Sequence, residues 1–321
     1  MAGQLIQALS GLGMFLFGML YMELALKEAA GRRFKSWVKN STSSTIKALM
    51  TGTIATALLQ SSSVVTLMTL SFVSASMISL HAGIAVIFGA NVGTTVTSWI
   101  VATLGFKVKI QAFALPMIGA GGLLLIFASS HKKITTVAKV FIGFGLLFLG
   151  LEFMKSSIES LTSIIDLEKF SHYPLIAFIG IGFFLTAIIQ SSSAATAIVL
   201  STLYVHILNF EQAASMVIGT NIGTTVTAIL GSIGGIPDKK RVAMAHFIFN
   251  FITAAAAFLL LPFLTQFLMS IEGLKNDLVT ALALFHTIFN VLGVLLLLPF
   301  ISLMAKYLNR LFIDVKPALT R

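Results

Sequence analysis

Gln-Ser-Ser-Ser occurs twice in the chain, at 60–63 and 190–193, and each copy interrupts a long apolar run. Serine hydroxyls both donate and accept hydrogen bonds, so three in succession suit an anion or a donor-bearing ligand. The glutamine carbonyl and any freed backbone carbonyls are hard oxygen ligands, suited to a small cation such as sodium. Serine is also a strong helix N-cap. A helix starting near Ser62 or Ser192 would aim free N–H groups at the tract, and such a helix end favours an anion.

A second polar tract follows each copy: Gly89-Ala-Asn-Val-Gly-Thr-Thr-Val-Thr97 and Gly219-Thr-Asn-Ile-Gly-Thr-Thr-Val-Thr227. Asn91 and Asn221 bring amides that serve either sign of charge. Gly93 and Gly223 are expected to let the backbone leave helical geometry. Thr94, Thr95, Thr224 and Thr225 would then cap the second half of a broken helix. Both pairs of tracts share one offset of 130 residues. Small polar residues commonly serve packing between transmembrane helices, but packing alone does not call for duplicated polarity at membrane depth. Neither tract contains Arg, Lys, Asp or Glu. An anion held there would be neutralised by helix dipoles, hydroxyls and co-bound cations. An ion alone in a low-dielectric cavity is costly, so the pattern favours cation-coupled symport.

The elements that position these tracts follow from composition. The chain is 57% apolar and 10% charged, with a mean hydropathy of +0.99. A soluble domain carries about a quarter charged residues, so lipid is the expected solvent and an all-α polytopic membrane protein the expected fold. Stretches at 5–26, 83–104, 110–129, 134–153, 213–231, 242–261 and 278–303 approach or exceed the roughly 20 residues that cross a bilayer. The absence of cysteine excludes disulfides and thiolate metal sites. Sodium is the only metal expected, with no transition metal and no organic cofactor.

The net charge of +10 sits in short loops, which argues against nucleic acid as a partner and for a membrane orientation. Fifteen of the 21 basic residues fall in four groups: Lys27 to Lys47, Lys132 and Lys133, Lys239 to Arg241, and Lys306 to Arg321. The positive-inside rule places all four in the cytoplasm of a cell-membrane protein, with the N-terminus outside and the C-terminus inside. Lys107, Lys109, Lys155, Lys169 and Lys275 fall in the remaining loops.

Each half then has three full spans plus a Gln-Ser-Ser-Ser region. Three is odd, so the second half enters from the opposite side, giving two inverted-topology repeats at 1–131 and 132–262. Residues 263–321 add a helix and a short cytoplasmic tail. The leading helices also match, Phe15-Leu-Phe-Gly-Met-Leu-Tyr-Met22 against Leu147-Phe-Leu-Gly-Leu-Glu-Phe-Met154. The Gln-Ser-Ser-Ser regions, about 46–77 and 173–207, are too short for two spans each. They read as re-entrant helical hairpins, one opening from each side, with tips that meet near mid-membrane. Inverted repeats with interrupted helices at matching positions mark a secondary transporter.

His246-Phe-Ile-Phe-Asn250 and His286-Thr-Ile-Phe-Asn290 place His and Asn four apart on one helix face. Two roles stay open for them, pinning neighbouring helices or lining a proton-linked site. Glu23 and Glu152, near span ends, are read as solvated or packing residues.

At these motifs the chain resembles the type II sodium-phosphate cotransporter family. The duplicated Gln-Ser-Ser-Ser, the Gly-Ala/Thr-Asn-x-Gly-Thr-Thr-x-Thr tracts and the His-x-x-Phe-Asn segments all match, over nearly the whole chain. The resemblance implies alternating-access uptake of inorganic phosphate with sodium, and no enzymatic activity. It implies a phosphate set of Gln60, Ser61, Ser62, Ser63, Gln190, Ser191, Ser192 and Ser193 with Asn91 and Asn221. The sodium set is Gln60, Ser62, Thr66, Thr94 and Thr95 with Gln190, Ser192, Thr196, Thr224 and Thr225. Partners are phosphate, sodium and the lipid bilayer, with a homodimer left open. Many bacterial members add a cytoplasmic helical domain, and animal members a large loop between the halves. The sequence stops at Arg321 without the first, and 155–172 is short beside the second. Three rivals remain from the residues alone: a symporter of another oxyanion, an ion channel, and an intramembrane serine hydrolase using a tip serine with His246 or His286.

Overall fold

The computed structural model describes residues 2–106, 110–127, 131–162 and 173–313, and all regular secondary structure among them is helical. The first half runs α1 (Ala2–Asn40), α2 (Thr45–Leu59), α3 (Ser62–Ser74), α4 (Leu80–Ile100) and α5 (Ile110–Phe127). A π-helical turn, Val101–Gly105, continues α4. The second half runs α6 (Lys132–Thr162), α7 (Leu175–Ile189), α8 (Ser192–Tyr204), α9 (Phe210–Ser232) and α10 (Pro237–Met269). A short α11 (Glu272–Lys275), then α12 (Leu278–Leu297) and α13 (Ile301–Leu311) follow. Of the basic residues used to orient the chain, Lys107, Lys109, Lys169, Lys316 and Arg321 lie outside the described residues.

Six helical stretches among the described residues are long and apolar enough to cross a bilayer: Gly3–Ala29, Leu80–Gly105, Lys132–Ser157, Phe210–Ser232, Pro237–Met269 and Leu278–Leu311. The chain is a multi-pass membrane protein. The expected span at 110–129 falls in α5, whose apolar part, Ala112–Phe127, is shorter than the other six. In α1 the apolar span and the basic segment that follows are separated at Gly31, where φ of 51° bends the helix. Only glycine takes that conformation without steric cost.

The helices around the serine tracts are shorter still. α2 and α7 have 15 residues each, and α3 and α8 have 13. At 1.5 Å per residue these are about 20 Å long, well under the roughly 30 Å of a bilayer core. α2 lies against α4, and α7 lies against α9 in the same way. The glycines of the second tracts make that approach close. A Cβ on Gly93 would come within 2.5 Å of Thr53 O, and one on Gly223 within 2.6 Å of Phe183 O. At Gly89 and Gly219 it would collide with the backbone carbonyls of Leu49 and Ile179.

This corrects the expectation of broken helices. α4 and α9 run helical through Gly93 and Gly223 without interruption. Those glycines admit a neighbouring backbone and do not release their own. Thr94, Thr95, Thr224 and Thr225 cap nothing. Their hydroxyls donate to carbonyls three or four residues back in the same helix: Ala90, Val92, Thr220 and Ile222. Such back-bonding is the usual fate of Thr inside a helix.

α1, α5 and α6 form one group, with α6 packed along both others, and they touch the remaining helices sparsely. α3, α4, α9, α10 and α12 pack together as a second group around buried residues such as Phe88 and Phe249, whose rings lie 4.3 Å apart. The serine tracts lie where the two groups meet.

Candidate functional site

Each Gln-Ser-Ser-Ser tract is a turn between two helices. Gln60 ends α2 at φ 54°, ψ 26°, and Gln190 ends α7 at φ 59°, ψ 23°. Both are left-handed conformations, unusual for a residue with a side chain. Ser61 and Ser191 then cap α3 and α8. Each accepts a 3.3 Å hydrogen bond from a backbone N–H, of Val64 and of Ala194. The helices start at Ser62 and Ser192, as the capping argument predicts. The two glutamine amides repeat one another as well. Gln60 Nε2 donates to Ala57 O, and Gln190 Nε2 to Ala187 O.

The glutamine oxygens find partners that sequence reading missed. Thr97 donates to Gln60 Oε1 at 3.0 Å, and Thr227 donates to Gln190 Oε1 at 2.8 Å. These are the last threonines of the second tracts. Thr97 and Thr227 stand at matching positions under the shared offset of 130 residues. Thr97 also accepts from Ser193 at 3.3 Å. It therefore joins the first tip to the second.

A cavity of about 420 Å³ lies between the tips. All eight residues of the two tracts line it, together with Val64, Leu67, Ile189 and Leu16, Met19, Leu20 and Glu23 of α1. One helix thus touches both tips. The Glu23 carboxylate lies beside Ser61 on the cavity wall, and Ser191 Oγ lies 3.9 Å from Met19 Sδ. Four residues of α1 separate these contacts, about 6 Å along the axis. The placement of Glu23 corrects its reading as a solvated or packing side chain: it is half-buried and faces the cavity. The halves are unequal, since Gln60 is buried at 8% exposure while Gln190 is exposed.

The remaining expected site residues stand behind this wall. Asn91 is buried and donates to Ile87 O of its own helix. Thr66 is buried with no partner for its hydroxyl, and Thr196 lies 3.5 Å from Thr220 Oγ1. Thr94, Thr95, Thr224 and Thr225 are buried one layer back in α4 and α9. Their protons point at helix carbonyls, which leaves their oxygens as acceptors.

Asn221 belongs to a different network. His286 Nε2 lies 3.1 Å from Asn221 Oδ1, and its Nδ1 lies 2.7 Å from Ser98 Oγ. Asn221 Nδ2 donates to Asn290 Oδ1 at 2.9 Å, and Asn290 Nδ2 donates to His286 O. The amide oxygen only accepts, so Nε2 carries the proton and Nδ1 accepts from Ser98. His286 and Asn290 thereby pin α12 to α4 and α9. His246 and Asn250 are buried in α10, where Asn250 donates to His246 O at 3.1 Å. The nucleophile reading would have His246 or His286 beside a tip serine. His286 has both ring nitrogens engaged elsewhere, and the side-chain hydrogen bonds of Ser61, Ser191 and Ser193 are with backbone N–H groups, Met19 and Thr97.

Known proteins resemble this chain over most of its length. It is 32% identical over 92% of its residues, and 94% of the relative, to the uncharacterized protein YqeW of Bacillus subtilis. It is 27% identical over 97% of its residues to the putative inorganic phosphate export protein YjbB of Salmonella typhimurium. That match covers 56% of the relative, so the chain spans little more than half the length of YjbB. A 74-residue segment, 22% of the chain and 12% of the relative, is 39% identical to sodium-dependent phosphate transport protein 2C of Rattus norvegicus. No solved structure matches the chain. One family model, described as Na+/Pi-cotransporter, matches twice, over residues 14–156 and 159–297, and the chain belongs to that family.

Proposed function

We propose that the chain is a sodium-coupled symporter of inorganic phosphate that works by alternating access. The observation that carries this reading is the pair of Gln-Ser-Ser-Ser tips sharing one cavity and joined through Thr97. Phosphate is held between Gln60–Ser63 and Gln190–Ser193 by hydroxyls and by the N-terminal N–H groups of α3 and α8. Sodium ions sit beside it on the glutamine and serine oxygens, with Thr66, Thr94, Thr95 and their mates Thr196, Thr224 and Thr225 as acceptors from behind. Asn91 and Asn221 are buried and are not among the residues that line this cavity, so they support its walls through their helices.

α2–α3 and α7–α8 are re-entrant hairpins of two inverted repeats, 1–131 and 132–262. Their length supports this, being too short to span. So does the order of contacts on α1: Glu23, nearer the basic segment, meets the first tip, and Met19 meets the second. Opposed hairpins entering from the two sides give that order. The sparse contact between α1, α5, α6 and the other helices makes it the surface on which the loaded core moves. The buried first glutamine and exposed second one fit a state closed at one tip and open at the other.

The family and the rat relative's name support phosphate and sodium as the transported pair. The name of the YjbB relatives speaks of export, and symport is reversible, so the gradients set net direction. Under an inward sodium gradient the account gives uptake across the cell membrane, with the N-terminus outside. The test is transport of labelled phosphate by purified protein in liposomes, wild type against Gln60→Ala plus Gln190→Ala. Loss of transport with retained folding is expected, and intact transport would refute the site.

A further inference from the structure

We propose that Glu23 is a cation-binding residue of the cavity, holding one sodium ion against the first tip. This rests on the transport reading above. Among the described residues lining the cavity, Glu23 alone carries a formal charge. It is half-buried and shares the cavity wall with Ser61, the residue that caps α3. Its carboxylate therefore lies at the mouth of the anion site. A bare carboxylate there opposes phosphate, because two like charges a few ångströms apart repel strongly away from bulk water. A compact cation between them reverses the sign, and carboxylate, hydroxyl and carbonyl oxygens are the ligands sodium takes.

The internal duplication sharpens the point. In the alignment that pairs Met22 with Met154, Glu23 falls opposite Lys155. Lys155 does not face the cavity: its Nζ lies 4.4 Å from the centre of the Tyr204 ring and 4.0 Å from Glu159. The duplicated halves thus differ in charge at one position, and only the negative member reaches the site. The other charges near Glu23 do not replace a bound ion. Lys27, one turn on, is exposed, and Lys139 of α6 pairs with Glu28 at 2.7 Å.

The test compares sodium dependence in wild type and Glu23→Gln, which keeps the size of the side chain and removes the charge. At saturating sodium, the KM for phosphate is expected to change less than about threefold, while the sodium concentration for half-maximal transport rises about tenfold or more. Purified wild-type protein should gain thermal stability with added sodium, and Glu23→Gln should lose most of that gain. Glu23→Asp, with the charge withdrawn by one methylene, should shift the sodium curve less in the same direction. An unchanged sodium curve in either variant, in a wild type that transports phosphate with sodium, overturns the Glu23 assignment alone. A wild type with no sodium-dependent phosphate transport overturns the reading beneath it.

Discussion

Gln60 and Gln190 hold left-handed backbones at φ 54° and 59°, a conformation that costs a non-glycine residue about 1 kcal/mol. Each is locked there by two hydrogen bonds of its own amide, one to the preceding helix and one from Thr97 or Thr227. Strain that persists under such over-determination supports the proposed role of both glutamines. Gln60→Gly should therefore relieve the backbone and remove the ligand at once. Thermal unfolding in detergent is expected to change by about 1 kcal/mol or less, while phosphate transport is lost. Thr97 has two polar partners and Thr227 one. With hydrogen bonds worth about 1 kcal/mol each, Thr97→Val should weaken phosphate about thirtyfold and Thr227→Val about fivefold, read as KM. The tip serines and glutamines were legible from sequence because residue type, capping chemistry and duplication all point to them. Thr97, Thr227 and Glu23 were not, because their role depends on which face of α4, α9 or α1 meets the tips. Neither polarity nor spacing encodes that.

The same second tracts show how an element can be misread. Gly-x-Asn-x-Gly-Thr-Thr in an apolar run has the composition of a helix break. It also has the composition of two helices in backbone contact, and the structure uses it that way. Gly89 and Gly219 have no space for a side chain beside Leu49 and Ile179. Gly89→Val and Gly219→Val should each destabilise the protein by about 3 kcal/mol or more, seen as a lower midpoint of unfolding. Gly180→Ala, whose Cβ would meet nothing within 4 Å, is the control and should have little effect. Helix existence and the short lengths of α2, α3, α7 and α8 were readable from apolar periods and capping residues. The partition into α1–α5–α6 and the rest was not, because it is a matter of which helices pack. That partition makes its own prediction. The chain has no cysteine, so Lys155→Cys with Tyr204→Cys can be joined across α6 and α8 by a short cleavable bifunctional thiol reagent. Transport should stop on cross-linking and return on cleavage, and full transport by the cross-linked protein would count against motion at that surface.

For the whole molecule, duplication, charge bias and parity are the grounds for the proposed arrangement, two copies of a fold entering the membrane from opposite sides. Ser76 and His206, 130 residues apart, both have positive φ, 53° and 59°, at the far ends of the two short helix pairs. Both are exposed. In inverted hairpins, cysteines at 76 and 206 should be labelled by a membrane-impermeant reagent from opposite faces, the first cytoplasmic and the second outside. Labelling from one face would sink the inversion. The central claim, coupling of phosphate to sodium, is tested most directly in sealed proteoliposomes with labelled phosphate outside. An imposed inward sodium gradient should drive accumulation above the outside concentration, and a sodium ionophore should collapse it. Phosphate flux that is the same with and without the sodium gradient would contradict the account.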